Sequence, residues 1–182
     1  MESIETPRLT LRNFRAEDAE DLFAYLREPS VSCFLSMKLD DMDAAKAEAE
    51  RRSQSDEYIA VCLSGTDKLI GDLFAVLEDD TVSVGWNFNP AFSGTGLASE
   101  AARALFQWLF SVKQARRLYA YVEDNNIPSQ RLCERLGMRL EGLFMEYVSF
   151  RNGDDGLPIY ENTMQYAILR KEWDARIGSV AG

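Results

Sequence analysis

The stretch Trp86 to Ala102, WNFNPAFSGTGLASEAA, has the residue types and spacing of an anion cradle. Pro90 cannot continue a central strand, and Gly94 and Gly96 let the backbone turn through conformations closed to other residues and approach a ligand. An apolar helical pattern opens at Leu97, so the first free N–H groups of that helix, backed by the positive end of its dipole, face whatever the loop encloses. A diphosphate fits such a loop. Two further constellations lie downstream. Asn126 and Ser129 start a short helix on which Cys133 lies one turn further along, and Glu146 shares a predicted strand face with Phe144, Val148 and Phe150. A carboxylate on an otherwise apolar face is expensive to keep charged, which makes Glu146 a candidate base.

Composition narrows the chemistry. The 182 residues contain no histidine, which removes Ser/His/Asp and Cys/His nucleophile pairs and the common zinc sites built on imidazole. Cys33, Cys62 and Cys133 are odd in number, far apart and outside any CxxC pair, so they read as reduced and mostly buried. The acids Asp40, Asp41 and Asp43 open a polar helical pattern, where they complement the helix dipole and lack the glycine and distal Glu of a calcium loop. No metal site is expected. A net charge of -10 repels polyanions, so nucleic acid is an unfavourable partner and a cationic amine or basic polypeptide an easier one. The first residues, MESIETPR, lack the basic and apolar runs of a signal peptide, and no stretch approaches the about 20 apolar residues that span a bilayer. Together with 46% apolar residues, this predicts one cytoplasmic domain over residues 1–182, with no membrane partner.

The elements that must position these residues follow from periodicity. Arg8 to Phe14 reads as a strand with Arg12 outward, and Ala19, Leu22, Phe23 and Leu26 give the next helix a core face. Asp40 to Gln54 reads as a polar surface helix. Tyr58 to Leu63, Leu69 to Leu77 and Thr81 to Phe88 form an antiparallel meander that delivers the chain into the loop. The helix from Leu97 to about Val112 carries Leu97, Ala101, Leu105, Trp108 and Val112 on one side, and Leu118 to Val122 returns as a strand parallel to the one before the loop. After the short helix, stopped by Gly137, two strands close the chain, Leu143 to Phe150 and Tyr160 to Leu169. In the last, Tyr160, Met164, Tyr166 and Ile168 share one face, with Glu161, Thr163 and Gln165 on the other.

This order of elements, with ETPRLTLRNFRAEDAEDL, SGTGLASEA and NNIPSQRLCERLGMRLEG, resembles the GNAT superfamily of acetyl-CoA-dependent N-acetyltransferases, most of all its ribosomal-protein N-terminal acetyltransferase branch. The resemblance implies an α/β (α+β) fold, a mixed, mostly antiparallel, splayed sheet of about seven strands flanked by about four helices. It implies acetyl-CoA as co-substrate, held by Trp86, Asn87, Phe88, Ser93, Gly94, Thr95, Gly96, Leu97, Ala98, Asn126 and Ser129. Ser93 stands where the family's loop places Gln or Arg. Cys133 stands seven residues after Asn126, where many members carry a tyrosine acid, so Ser129, Cys133 or a water must protonate the leaving thiolate. Glu146 falls where this branch places a carboxylate after its Glu-Gly pair, here Glu141 and Gly142. The acceptor is an amine-bearing small molecule or a protein N-terminus, and the protein a monomer or homodimer. Two rivals remain at this point. One is a non-catalytic coenzyme A-binding protein of the same fold; the other is a nucleotide-binding oxidoreductase module, since Gly94 and Gly96 begin a G-x-G-x-x-G whose third position is Ser99.

Overall fold

The computed structural model describes residues 1–180, in which eight strands form one sheet in the order β1-β2-β3-β4-β5-β6-β8-β7. The strands are β1 (Ile4–Glu5), β2 (Leu9–Asn13), β3 (Tyr58–Leu63), β4 (Leu69–Glu78), β5 (Thr81–Phe88), β6 (Arg117–Glu123), β7 (Arg139–Asn152) and β8 (Pro158–Leu169). All neighbours pair antiparallel except β5 and β6. The helices are α1 (Ala19–Leu26), α2 (Met42–Ser53), α3 (Leu97–Ser111), α4 (Ile127–Leu136) and α5 (Arg170–Val180). The expected architecture is present, with one more strand and one more helix than its approximate counts. β1 is only two residues long. α5 has a weak apolar face and is anchored by Trp173, 3% exposed, against Phe106 and Phe110.

Helices cover both faces of the sheet, which explains the unbroken apolar run in β3. Ile59 and Val61 join the core under α3 and α4, while Ala60 and Cys62 join the core under α1 and α2. The stripe that α3 buries is Leu97, Ala101, Ala102, Leu105, Phe106, Leu109 and Phe110, seated on β2 and β5. Val112 is exposed and Trp108 only partly covered, so the face expected through those two is rotated toward Phe106 and Phe110.

Two charges expected at the surface are buried. Arg12 makes a two-point contact with Asp18, at 2.9 and 2.8 Å, and reaches Asp67 at 3.0 Å. The α2 helix is not a purely polar surface element: Ala45, Ala49 and Arg52 face inward, and Arg52 is fully buried 3.1 Å from Asp72. Asp41 caps α2, its Oδ1 accepting from the Ala44 amide at 2.8 Å. Among the described residues no helix is long and apolar enough to cross a membrane.

Candidate functional site

The parallel pairing of β5 and β6 runs for three residues only, from Thr81–Arg117 to Ser83–Tyr119. Beyond it the strands diverge, and the second half of β5 loses its neighbour on that side. The Asn89 amide donates to the Ile70 carbonyl at 2.9 Å, and the register pairs Phe88 with Gly71 and Trp86 with Leu73. Because hydrogen-bonded pairs alternate along an antiparallel ladder, the amides of Trp86 and Phe88 point away from β4 and into the opening.

The loop after β5 closes one end of that opening. Asn89 caps a short turn at Pro90–Phe92, accepting from the Ala91 amide at 3.0 Å. Gly94 and Gly96 then take left-handed φ values of 75° and 81°. A side chain added at Gly94 would meet nothing within 4 Å, so its Cα borders open space and its strain would be purely backbone. Gly96 is the residue before α3 and provides no side-chain cap, leaving the first-turn amides of that helix free. Thr95 turns outward: its carbonyl accepts from Arg8 Nη1 at 3.0 Å and its hydroxyl donates to the Phe92 carbonyl at 2.7 Å.

On the far side, Asn126 caps α4, with Oδ1 accepting from the Ser129 amide at 3.3 Å. Ser129 Oγ accepts from the Trp86 indole N–H at 3.1 Å, a link from β5 across the opening to α4. A hydroxyl that accepts there keeps its own proton free to donate. Between these parts lies a cavity of about 530 Å³. Trp86, Asn87, Phe88, Ser93, Gly94, Gly96, Leu97, Ala98, Asn126 and Ser129 all line it. The donor set, free helix amides and a glycine turn beside open space, suits a phosphate-bearing ligand.

Three expected residues are not brought to this cavity. Thr95 faces the loop's own backbone. Cys133 is fully buried in the core with its thiol pushed up to about 12, by burial first. Glu146 lies at a bulge in β7 with φ 49°, where the register jumps between Phe144 and Val148. The extra residues break the alternation that placed Glu146 on an apolar face, and its side chain is exposed. Its amide donates to Asn162 Oδ1 at 2.9 Å, and Asn162 in turn donates to Asp124 Oδ2 at 2.8 Å. The two faces of β8 alternate as expected, with Met164, Tyr166 and Ile168 toward the core under α3; Glu161 and Thr163 on the other face are also buried, whereas Tyr160 is exposed.

Sequence reasoning missed Arg135 and the segment between α1 and α2. Arg135 lines the cavity from the last turn of α4, its Nε donating to Ser99 Oγ at 3.1 Å. It puts a cation near the loop whose leading position is Ser93. A basic residue in a last helical turn is ordinary dipole chemistry, so its sequence signal was weak. Ser30, Val31 and Phe34 form another wall, next to a 3-10 turn at Ser32–Met37 that carries no clear periodicity. The dinucleotide alternative fails on topology, because the glycine loop follows an antiparallel strand instead of opening a parallel sheet.

Comparison with known proteins agrees with this geometry. The family profile of the acetyltransferase (GNAT) domain matches residues 8–139. An uncharacterized N-acetyltransferase of Bacillus subtilis (strain 168), YnaD, is 31% identical over 94% of this chain and 99% of its own. A crystal structure of a GNAT-family acetyltransferase from Bacillus anthracis superposes with a TM-score of 0.83 at 27% identity, covering 93% of this chain and 99% of the other. A putative ribosomal-protein-serine acetyltransferase from Vibrio cholerae, 22% identical over 92% of this chain and 97% of its own, shares the fold with a TM-score of 0.74.

Proposed function

The chain belongs to the acetyltransferase (GNAT) domain family, and from that premise we propose that it transfers the acetyl group of acetyl-CoA to a primary amine by direct attack in a ternary complex. Residues 1–182 act in this reading as one such domain, on a small amine or a protein N-terminus as in the ribosomal-protein branch. The observation that carries the reading is the loop at Gly94 and Gly96. Two left-handed glycines lead into uncapped helix amides beside a cavity that reaches Trp86, Phe88 and Ser129.

Bound there, acetyl-CoA supplies an activated thioester acyl group. The α3 amides and Arg135 hold the diphosphate, taking over the contact that a Gln or Arg at Ser93 would make. The Trp86 and Phe88 amides offer fixed donors to an oxygen that gains negative charge, the kind of preorganised dipole whose contribution is largest where water is excluded. Ser129, oriented by the Trp86 indole, has a free proton to give to a departing thiolate. Sealing and a raised pKa make Cys133 a poor donor by comparison. Glu146 faces solvent outside this cavity, so in this reading it takes the amine's proton only through water. The work asked of it is small for an α-amine, neutral in about one molecule in seven at pH 7, and large for a lysine, neutral in about one in a few thousand.

Coenzyme A at about a hundred times its Kd stabilises the folded state by about 2.7 kcal/mol and raises the melting temperature accordingly. NAD(P) at the same concentration leaves it unchanged. No shift with coenzyme A at millimolar concentration would overturn the reading. Cys133, buried where many GNAT enzymes outside the ribosomal-protein branch carry a tyrosine, favours one second reading, a coenzyme A-binding protein without turnover. Mass spectrometry of products from an amine panel with acetyl-CoA separates the two: a mass increase of one acetyl group establishes transfer.

A further inference from the structure

Beside the first cavity lies a second, of about 430 Å³, that shares Ser30, Val31, Asn126 and Pro128 with it. A ligand in one therefore adjoins a ligand in the other. Glu161 lines the second cavity, as does Arg151, and Glu123 lies on the same sheet face outside the lining. Glu123 of β6 pairs with Thr163 of β8, so Glu123, Thr163 and Glu161 project from the same face of the sheet. The 3-10 turn at Ser32–Met37 covers that face, and its Cys33 thiol is pushed up by burial, by Glu123 and, to a lesser degree, by Glu161.

Glu161 is incompletely satisfied. Its side chain is 6% exposed, and Oε2 accepts from Ser32 Oγ at 2.6 Å and Asn125 Nδ2 at 3.4 Å. Oε1 has no hydrogen-bond partner. Arg151 Nε stands 3.9 Å away, beyond hydrogen-bond distance, on a side chain that is 57% exposed. Thr163 Oγ1, on the same face, is also without a partner. Buried carboxylate oxygens normally collect donors, because leaving one bare sacrifices hydration with no return. Here the bare oxygen is covered but belongs to a residue lining an open cavity, and the guanidinium 3.9 Å from it is on a half-exposed side chain. An ammonium carries three donors on a compact charge and makes strong bonds to a carboxylate. An anion would meet the buried Glu161 carboxylate.

We propose that this second cavity is the acceptor site, and that Glu161 receives a small amine as its ammonium ion through Oε1, displacing Arg151. The inference rests on the acetyl-transfer reading above and specifies its acceptor: a small cationic primary amine, sized to the cavity. Glu161 is assigned binding and orientation, with no covalent bond made or broken on it; before attack the ammonium gives one proton to solvent water in the open cavity, and the neutral nitrogen then displaces the thiolate.

The test is calorimetric titration of the full chain, with coenzyme A present, using ethylamine, putrescine and L-alaninamide as probes, propionate as the anion control and an alanine-initiated hexapeptide amide. At least one small amine binds and propionate does not. Glu161→Gln weakens that amine by about tenfold or more, the loss of one charge-assisted bond, while coenzyme A binding is unchanged. Arg151→Met binds the amine as tightly as wild type or more tightly. Equal amine affinity in Glu161→Gln, loss of amine binding in Arg151→Met, or binding of the hexapeptide alone overturns the proposal. If Glu161→Gln fails to fold, Glu161→Asp decides: a retracted carboxylate must weaken the amine, and unchanged affinity refutes the assignment. The two readings fail separately. Turnover with an unchanged acceptor KM in Glu161→Gln removes the inference and leaves acetyl transfer standing. No coenzyme A binding and no acetylated product in wild type removes acetyl transfer, and the amine titration then decides the cavity alone.

Discussion

Two buried charges on the same side of the sheet are treated in opposite ways. Arg52, under α2, is sealed with Asp72, itself 3% exposed, and Tyr25 donates to the same Asp72 oxygen at 2.7 Å. Its Nε donates to Glu48 at 2.8 Å, and its guanidinium lies 4.7 Å from the Tyr58 ring centroid and 5.2 Å from that of Phe14. Although Nη1 and Nη2 make no hydrogen bond, opposite charge and aromatic faces surround the group. Glu161, under the 3-10 turn, has one bare oxygen and only a mobile-length, half-exposed arginine near it. The first arrangement meets its charge with a buried opposite charge, although two donors stay unmatched. The second has no cation within hydrogen-bond distance of its bare oxygen. Residues that hold a fold together find their partners within it, whereas residues that bind leave a valence open and lose some stability by doing so.

The largest expected effect tests the paired side. Arg52→Met leaves Asp72 buried without its cation and destabilises the protein by about 3–5 kcal/mol in urea unfolding. A change below about 1 kcal/mol, the range of exposed pairs, would show that the two charges are not treated differently. The same variant has a pH signature. Burial raises Asp72 above its ordinary range, with Arg52 and Tyr25 opposing that rise, so removing Arg52 raises it further. A carboxyl whose folded pKa lies above its unfolded value takes up protons on folding. Its contribution to stability is therefore fully present below the unfolded value of about 3.9 and lost as pH rises through the folded one. The deficit of Arg52→Met relative to wild type accordingly shrinks as pH falls from 7 toward 5, and a deficit that grows over that range contradicts the account.

Smaller effects probe the open side. Gly94→Val meets no neighbour but forces a β-branched residue to positive φ, costing about 1–3 kcal/mol and weakening coenzyme A binding. Ser129→Ala removes the acceptor of the Trp86 indole and costs about 1 kcal/mol of stability. If Ser129 is also the proton donor, kcat falls in that variant while the Kd for coenzyme A stays near wild type. Glu161→Gln has the smallest effect on stability, within about 0.5 kcal/mol of wild type, despite burial comparable to that of Asp72. A loss as large as that of Arg52→Met would mean that Glu161 is a structural charge after all.

Much of the fold was legible because its signals are local. The apolar runs of β3, β4 and β5, the glycines at 94 and 96 and the Asn126-to-Gly137 helix each carry their own punctuation, and each element lies where its pattern placed it. Glu146 was misplaced because a bulge leaves no mark in a two-residue alternation; the four steps of β7 from Phe144 to Val148 face only two of β8, from Thr163 to Glu161, and the surplus residues leave the ladder. Arg12 and Arg52 were read as outward because charge at a strand or helix position argues for solvent unless the partner is known. The buried partner of Arg12, Asp18, lies across a strand-to-helix turn that no periodicity reports, and Asp72 is twenty residues from Arg52. α5 escaped notice because a single anchor, Trp173, does the packing that periodicity usually reports.

The sequence by itself determined the glycine-loop side of the first cavity: a strand, a two-glycine loop and a helix start are contiguous, and backbone geometry needs only the right residues in the right order. Tertiary structure alone decided the other side. The short pairing of β5 with β6 opens the sheet, and the turn at Ser32–Met37 folds over β8 to leave Glu161 with a bare oxygen beside the opening. Whether a charge is satisfied depends on residues brought from more than a hundred positions away, as Ser32 is to Glu161, and no local pattern records that distance.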